Sequence, residues 1–230
     1  MARSRPPAPW VLALAGARDV PSQELVLAEL RAAILAGRVR PGTPIPVHAV
    51  AARFSLSHIP VREALKTLVA EGLVEHQERG AYVVALLTRE ELAELYVVRA
   101  SLETAAVTAA VARATDQDVA VAAHALRELE AATATGGAPD HHRWSRRFHL
   151  ALIAPCRMHR LLQMFERAWN ITEPGRPMSH ASAPATAALA EDHVAMLDAF
   201  AARDAGALIR LNGVHYRRLQ DIVADIPADG

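Results

Sequence analysis

Three histidines, His149, His193 and His215, fall on three separate helix-forming segments. His193 lies eleven residues before Asp204 and His215 eleven after it, and Asp204-Ala205-Gly206 reads as the turn between two antiparallel helices. With a rise of about 1.5 Å per residue, the two imidazoles stand at one height on neighbouring helices. With His149 added, three imidazoles and an open position suit Zn²⁺, Ni²⁺ or another borderline divalent metal. The same three also suit a metal-free polar pocket or a hydrogen-bonded core. Most of the eleven histidines, including His76, His124, His141, His142, His159 and His180, read as scattered surface residues.

Arg99 stands on the inward stripe of a long helical segment, among Leu92, Leu95, Tyr96, Leu102 and Ala106. A guanidinium there is costly without an anion. Glu103, one turn on, offers a structural partner; the alternative is the carboxylate of a small ligand in the cavity of the histidines. Asn212, a turn before His215, is expected to line that cavity.

A second constellation lies near the N-terminus. His58, Arg62 and Lys66 recur every four residues and so share one helix face. Arg62 is suited to bond guanine bidentately, and Lys66, the only lysine in the chain, to contact phosphate. Arg79-Gly80, at the tip of a short hairpin, would add a phosphate or minor-groove contact. The competing reading is a protein-contact surface on which Arg62 is simply solvated.

The elements that position these residues follow from periodicity. From Ser22 a helix places Leu25, Ala28, Ile34 and Leu35 on one stripe, until Gly37 and Pro41-Gly42 stop it. A shorter helix runs from about Val47 to Phe54. Ser57 is expected to cap a third, with Pro60 in its first turn and Val61, Ala64, Leu65, Leu68 and Val69 buried. After Gly72, Leu73–Gln77 and Ala81–Val84 flank Glu78-Arg79-Gly80 as a β-hairpin. Helices are then expected at about 89–113, 116–134, 139–154, 157–171, 185–203 and 204–224, the first opened by the capping box Thr88-Arg89-Glu90-Glu91. The fold expected is mainly α: a disordered tail over 1–20, a winged helix-turn-helix (three helices plus a β-hairpin) over 21–84, and an all-α six-helix bundle over 85–230.

Composition narrows the function classes. Of the 230 residues, 52% are hydrophobic, 4% aromatic and 22% charged, with 25 basic and 25 acidic side chains; this describes a globular chain, not a disordered one. Residues 21–84 carry seven basic and six acidic residues, and 85–230 fifteen and eighteen, so nucleic-acid binding must come from placed side chains rather than bulk charge. The single cysteine, Cys156, excludes an intrachain disulfide and any zinc site built on Cys pairs, and fits a reducing, cytoplasmic setting. No apolar run reaches the roughly 18 residues of a membrane span. Trp10–Ala17 faintly imitates a signal peptide, but the prolines before it favour a frayed tail.

At this point the residues resemble a known family. Ile34-Leu35-Ala36-Gly37 through Pro41-Gly42, Ser57-His58-Ile59-Pro60-Val61-Arg62-Glu63-Ala64-Leu65, and Glu71-Gly72-Leu73-Val74 resemble the winged helix of GntR-type transcriptional regulators. The remainder, with Glu94-Leu95-Tyr96, Val98-Arg99 and Leu102-Glu103, resembles the FCD effector domain of that family's FadR subfamily. The resemblance implies a homodimer that binds a double-stranded DNA operator and responds to a small carboxylate effector, with His48, Ser57, His58, Arg62, Lys66, Arg79 and Gly80 on the DNA side. It also implies an aspartate one turn before the first histidine as a further metal ligand; here that position is Ser145, and Met158 replaces a common asparagine. Members usually carry arginine at His58, and often arginine or another polar residue at His48, so operator sequence or affinity is expected to differ. A neutral imidazole cannot reproduce the arginine fork.

The expectation is therefore a DNA-binding regulator, not an enzyme, whose helical domain senses a small organic acid, with or without a divalent metal. A three-histidine metalloenzyme is the contrasting class, yet no His-Glu-x-x-His, nucleophile elbow or phosphate loop occurs. A dimeric adaptor whose winged helix no longer reads DNA is the third.

Overall fold

The computed structural model describes residues 7–14, 22–78, 80–135, 138–175 and 177–226. The chain divides into two units, Met1–Leu86 and Leu87–Gly230.

In the first unit, helices α2 (Gln23–Leu35), α3 (Val47–Phe54) and α4 (His58–Glu71) surround a core of Val26, Leu30, Ile34, Phe54, Leu65 and Leu68. Ser22 caps α2 by accepting from the Leu25 amide at 3.2 Å. Arg31 on α2 closes a two-pronged ion pair on Glu71 of α4. The turn after α3 passes through Ser55 at φ 54°, and α4 stops at Gly72 with φ 80°, a left-handed conformation that glycine adopts without strain. Ser57 occupies the N-cap position of α4, but its side chain makes no capping hydrogen bond, contrary to expectation. The hairpin forms from β2 (Val74–His76) and β3 (Tyr82–Val84). A third strand, which the sequence pattern does not suggest, is β1 (Pro44–Ile45); it pairs antiparallel with β3 on its other side, giving the order β1-β3-β2. Two residues beginning with proline carry no alternation to read, and proline is tolerated there because the strand is an edge.

The expected frayed tail is also corrected in part. Residues Pro9–Leu12 form a helical turn, α1, with Val11 and Leu14 fully buried in the core of the unit. Arg53 of α3 donates from Nε to the Leu14 carbonyl at 2.9 Å. Val11 and Leu14, two of the apolar residues that imitate a signal peptide, thus pack, whereas Leu12 is exposed; residues 15–20 of the expected tail lie outside the described residues.

The second unit is all helical: α5 (Arg89–Arg113), α6 (Asp116–Ala134), α7 (Ala138–Ile153), α8 (His159–Thr172), α9 (Ala183–Ala201) and α10 (Ala205–Ala224). Capping boxes at Thr88/Glu91 and Thr115/Asp118 start α5 and α6, and Asp204 accepts from the Ala207 amide at 2.8 Å to start α10. Phe148, Phe165, Met196, Phe200 and Leu208 fill the core with no exposure; truncating one of the phenylalanines to alanine costs about 3–5 kcal/mol. Helix α5 is long and apolar enough to cross a membrane by length and composition, although polar residues interrupt its apolar runs. It serves here as a core helix: Leu92, Tyr96, Ala106, Val107 and Ala110 are buried, with Arg99 and Glu103 between them.

Candidate functional site

Helices α7, α9 and α10 bring His149, His193 and His215 together, fully enclosed, with one ligand atom from each lying within 4.8 Å of the others. Their ring centroids are 4.6 Å apart for His193 and His215, 5.0 Å for His149 and His215, and 5.3 Å for His149 and His193. The two histidines counted from the Asp204 turn do stand side by side.

A buried carboxylate fixes one of these rings, and a second carboxylate stands beside another. Glu103 accepts from His149 Nδ1 at 2.8 Å and from the Tyr216 hydroxyl at 2.8 Å. An ionised carboxylate only accepts, so His149 carries its hydrogen on Nδ1 and turns the Nε2 lone pair inward. Burial pushes the Glu103 carboxyl up, but His149, the Tyr216 hydroxyl and His215 outweigh it and hold the group below the ordinary range. Asp192 Oδ2 stands 3.5 Å from His215 Nδ1 and 3.1 Å from Arg218 Nε. Burial pushes His215 down to about 4 even against Asp192, and lowers His193 further below its ordinary value, with His215 and His149 adding to the effect. Both imidazoles are therefore neutral near neutral pH, the form that binds metal.

The donor set fits a divalent ion. His149 Nε2 and His193 Nε2 are buried without any hydrogen-bond partner, a costly state that a ligand would relieve. Zn–N bonds of about 2.1 Å hold two nitrogens at most about 4.2 Å apart, so small ring rotations complete the approach. Ser145 lies on the wall of the same cavity and is a neutral hydroxyl, a poor ligand for such an ion.

The cavity of about 280 Å³ is lined by the three histidines, Ser145, Arg99 and Trp169 among others. Arg99 is 3% exposed, and among the described residues no ion pair closes on it. Its guanidinium carbon lies 3.4 Å from the centroid of the Trp169 ring and 4.8 Å from that of Tyr96, and Nη1 donates to Thr172 Oγ1 at 3.3 Å. The structural partner expected of Glu103 is thus not made, because that carboxylate is taken by His149 and Tyr216. Stacking does not neutralise Arg99, and its Nε has no hydrogen-bond partner; the Glu173 carboxylate, which accepts from the Trp169 indole at 2.8 Å, lies on the wall of the same cavity.

Two further expectations are corrected. Asn212 is fully buried but does not line the cavity, since its amide nitrogen donates to Thr104 Oγ1 at 3.1 Å. His141 and His142, expected at the surface, both line the cavity. The four-residue spacing of His141, Ser145 and His149 along α7 is the signal that places them on one stripe. Tyr216, Asp192, Trp169 and Thr172 carry no comparable signal.

On the first unit, His58, Arg62 and Lys66 are all exposed along α4, and Ser57 is exposed at its start. Lys66 is held by Glu63 at 2.8 Å. His48, at the start of α3, packs edge to face against His58 with ring centroids 4.2 Å apart. Gly80 sits at the hairpin tip with φ 79° and open space around it, while Arg79 lies outside the described residues.

Two family profiles match the chain: the FCD domain over residues 94–218 and the bacterial regulatory proteins of the gntR family over residues 22–84. The chain belongs to the gntR family of regulators that carry an FCD domain. It is similar to the HTH-type transcriptional repressor GlaR of Escherichia coli (strain K12), 37% identical over 144 residues that cover 60% of this chain and 64% of that one. It is similar to the transcriptional regulator McbR of the same organism, 30% identical over 147 residues covering 64% of this chain and 66% of the relative. The chain thus spans slightly under two thirds of either relative. Solved structures of E. coli McbR/YncC (26% identity, TM-score 0.76, 88% of this chain and 96% of that one) and of a putative GntR regulator from Rhodococcus sp. RHA1 (25%, 0.77, 89% and 99%) share the fold. These relatives are named as regulators of transcription, and none as an enzyme.

Proposed function

We propose that this chain is a cytoplasmic, homodimeric, DNA-binding regulator of transcription whose helical unit binds a small organic acid beside a divalent ion. The observation that carries the effector half is Arg99, a buried guanidinium without a direct ion pair among the described residues, on the wall shared with the three histidines. His149, His193 and His215 would hold Zn²⁺ or Ni²⁺, and the ion supplies positive charge that a carboxylate neutralises. Arg99 orients that carboxylate and is fixed in turn by Trp169 and Thr172. Removing two like-signed centres from water is unfavourable until an anion joins them.

The DNA half rests on α4. Arg62 reads a base edge, with His48, Ser57, His58, Lys66, Arg79 and Gly80 as flanking contacts. Two recognition helices at a fixed spacing require a dimer. Helix α5 offers a surface for one: Val97, Ser101, Ala105 and Thr108 are exposed along one side of it. The effector acts on DNA binding only to the extent that it prefers one arrangement of the dimer. A metal-free pocket is the second reading, favoured by Ser145, which cannot add the negative ligand.

Native mass spectrometry with metal analysis, on protein purified without chelator, tests these parts together. A dimer with one ion per chain is expected. A monomer overturns the dimeric reading, and a metal content near zero after Zn²⁺ is supplied returns the histidines to the metal-free pocket.

A further inference from the structure

The cavity extends along α7 beyond the three histidines, and its outer wall has a chemistry that the acid and metal leave unused. His141, Ser145 and His149 all line it at four-residue steps, so His141 stands about 12 Å along the helix axis from His149. Greater exposure marks the outer end: Glu130 is exposed and Thr133, Thr186 and His141 are half-buried, whereas the histidine trio is enclosed.

Hydrogen positions at this end follow from the bonds made. The Thr133 hydroxyl donates to the Leu129 carbonyl at 2.8 Å, so its single hydrogen is taken. His141 Nδ1 lies 2.9 Å from the same Oγ1 and must donate to it. The hydrogen of His141 is thereby fixed on Nδ1, and Nε2 is a bare lone pair. Burial lowers the pKa of His141, which keeps the ring neutral near neutral pH. The Thr186 hydroxyl likewise donates to the Ser182 carbonyl at 3.1 Å. What these groups offer a ligand is acceptors only: His141 Nε2, the Glu130 carboxylate, and the lone pairs of Thr133 and Thr186. The inner end holds the guanidinium of Arg99, so the two ends differ in chemistry.

We infer that the effector is a carboxylic acid carrying a hydrogen-bond donor, a hydroxyl or an ammonium group, at the end away from its carboxylate, and that His141 receives this donor through Nε2. The inference rests on the acid-binding reading above and adds the chemistry of the second end. Thr133 is the positioning residue, since it sets the tautomer that makes Nε2 an acceptor.

The test is calorimetry of the full chain supplied with Zn²⁺, titrated with straight-chain acids of matched length that end in hydroxyl, ammonium or methyl, over a ladder of chain lengths. At the best length a donor-ended acid binds about tenfold more tightly than its methyl-ended counterpart, the worth of one hydrogen bond. In His141→Phe that preference collapses to within about twofold while the methyl-ended acid binds as before, and His141→Gln, whose amide oxygen accepts, restores part of it. Thr133→Val releases the His141 tautomer and so weakens the preference as well, and carries the test if His141→Phe does not fold. Whichever donor binds more tightly identifies the end group. A methyl-ended acid that binds as well at every length, or a preference that survives in folded His141→Phe, overturns the role of His141 and leaves the acid reading standing. Absence of binding by every acid overturns both.

Discussion

Replacing Glu103 with glutamine isolates what the buried carboxylate does for the histidine site. Glu103 is 1% exposed and accepts two hydrogen bonds of 2.8 Å, from His149 Nδ1 and from the Tyr216 hydroxyl. Glutamine keeps the shape but offers one acceptor and one donor where the site presents two donors. If the amide nitrogen faces His149, the ring must move its hydrogen to Nε2, and the lone pair that points to the other histidines is lost. If it faces Tyr216, that hydroxyl turns to accept, and His149 keeps its tautomer but loses the anionic partner that orients it. Either orientation weakens the ion by about tenfold to a hundredfold, the usual worth of such a partner, or about 1.4–2.7 kcal/mol. The metal-free fold changes less, because removing a buried charge offsets part of the lost bonding. Zn²⁺ titration by calorimetry, paired with urea unfolding of the metal-free protein, separates the two effects. Equal Zn²⁺ affinity in wild type and a folded Glu103→Gln would refute the reasoning.

Further outcomes follow from the same geometry. Arg62→Ala should cost about 1–3 kcal/mol at the operator and relax base preference, whereas Lys66→Ala should weaken all duplexes alike and lower the salt slope by about one; mobility-shift titrations at several salt concentrations distinguish them. Ser145→Asp should tighten Zn²⁺ by adding an anionic ligand, and a competition titration that finds no tightening would show that Ser145 does not face the ion. The helical unit should lose stability as pH falls. His215 is held near 4 in the fold against about 6.5 unfolded, so the unfolded chain takes up the proton first, and about 3 kcal/mol disappears between those values. Urea midpoints of metal-free protein from pH 7 to pH 4 check this, and His215→Gln should flatten the curve. Val97→Glu, on the exposed side of α5, should shift the dimer toward monomer in light scattering if that surface joins the copies.

Local signals and counted distances are legible in the amino-acid order itself. Thr88 with Glu91, the Gly72 stop and the apolar stripes place the helices to within a residue or two, because a helix is set by its own caps and its own 3.6-residue period. His193 and His215 are paired by the same arithmetic, eleven residues to either side of a tight turn. The identity of each partner is decided only by packing. Each residue turns a helix by about 100°, so whether a side chain meets one neighbouring helix or another depends on rotations that no single segment encodes. Glu103 lies one turn from Arg99 on α5, yet it faces His149 of α7 and Tyr216 of α10, and Arg99 is left stacked on Trp169 of α8. Asn212 turns to Thr104 instead of the cavity for the same reason. His141 looks like any surface histidine until α6 lays Thr133 beside it, and the single hydrogen of that hydroxyl, already given to its own helix, decides what the imidazole presents to the cavity.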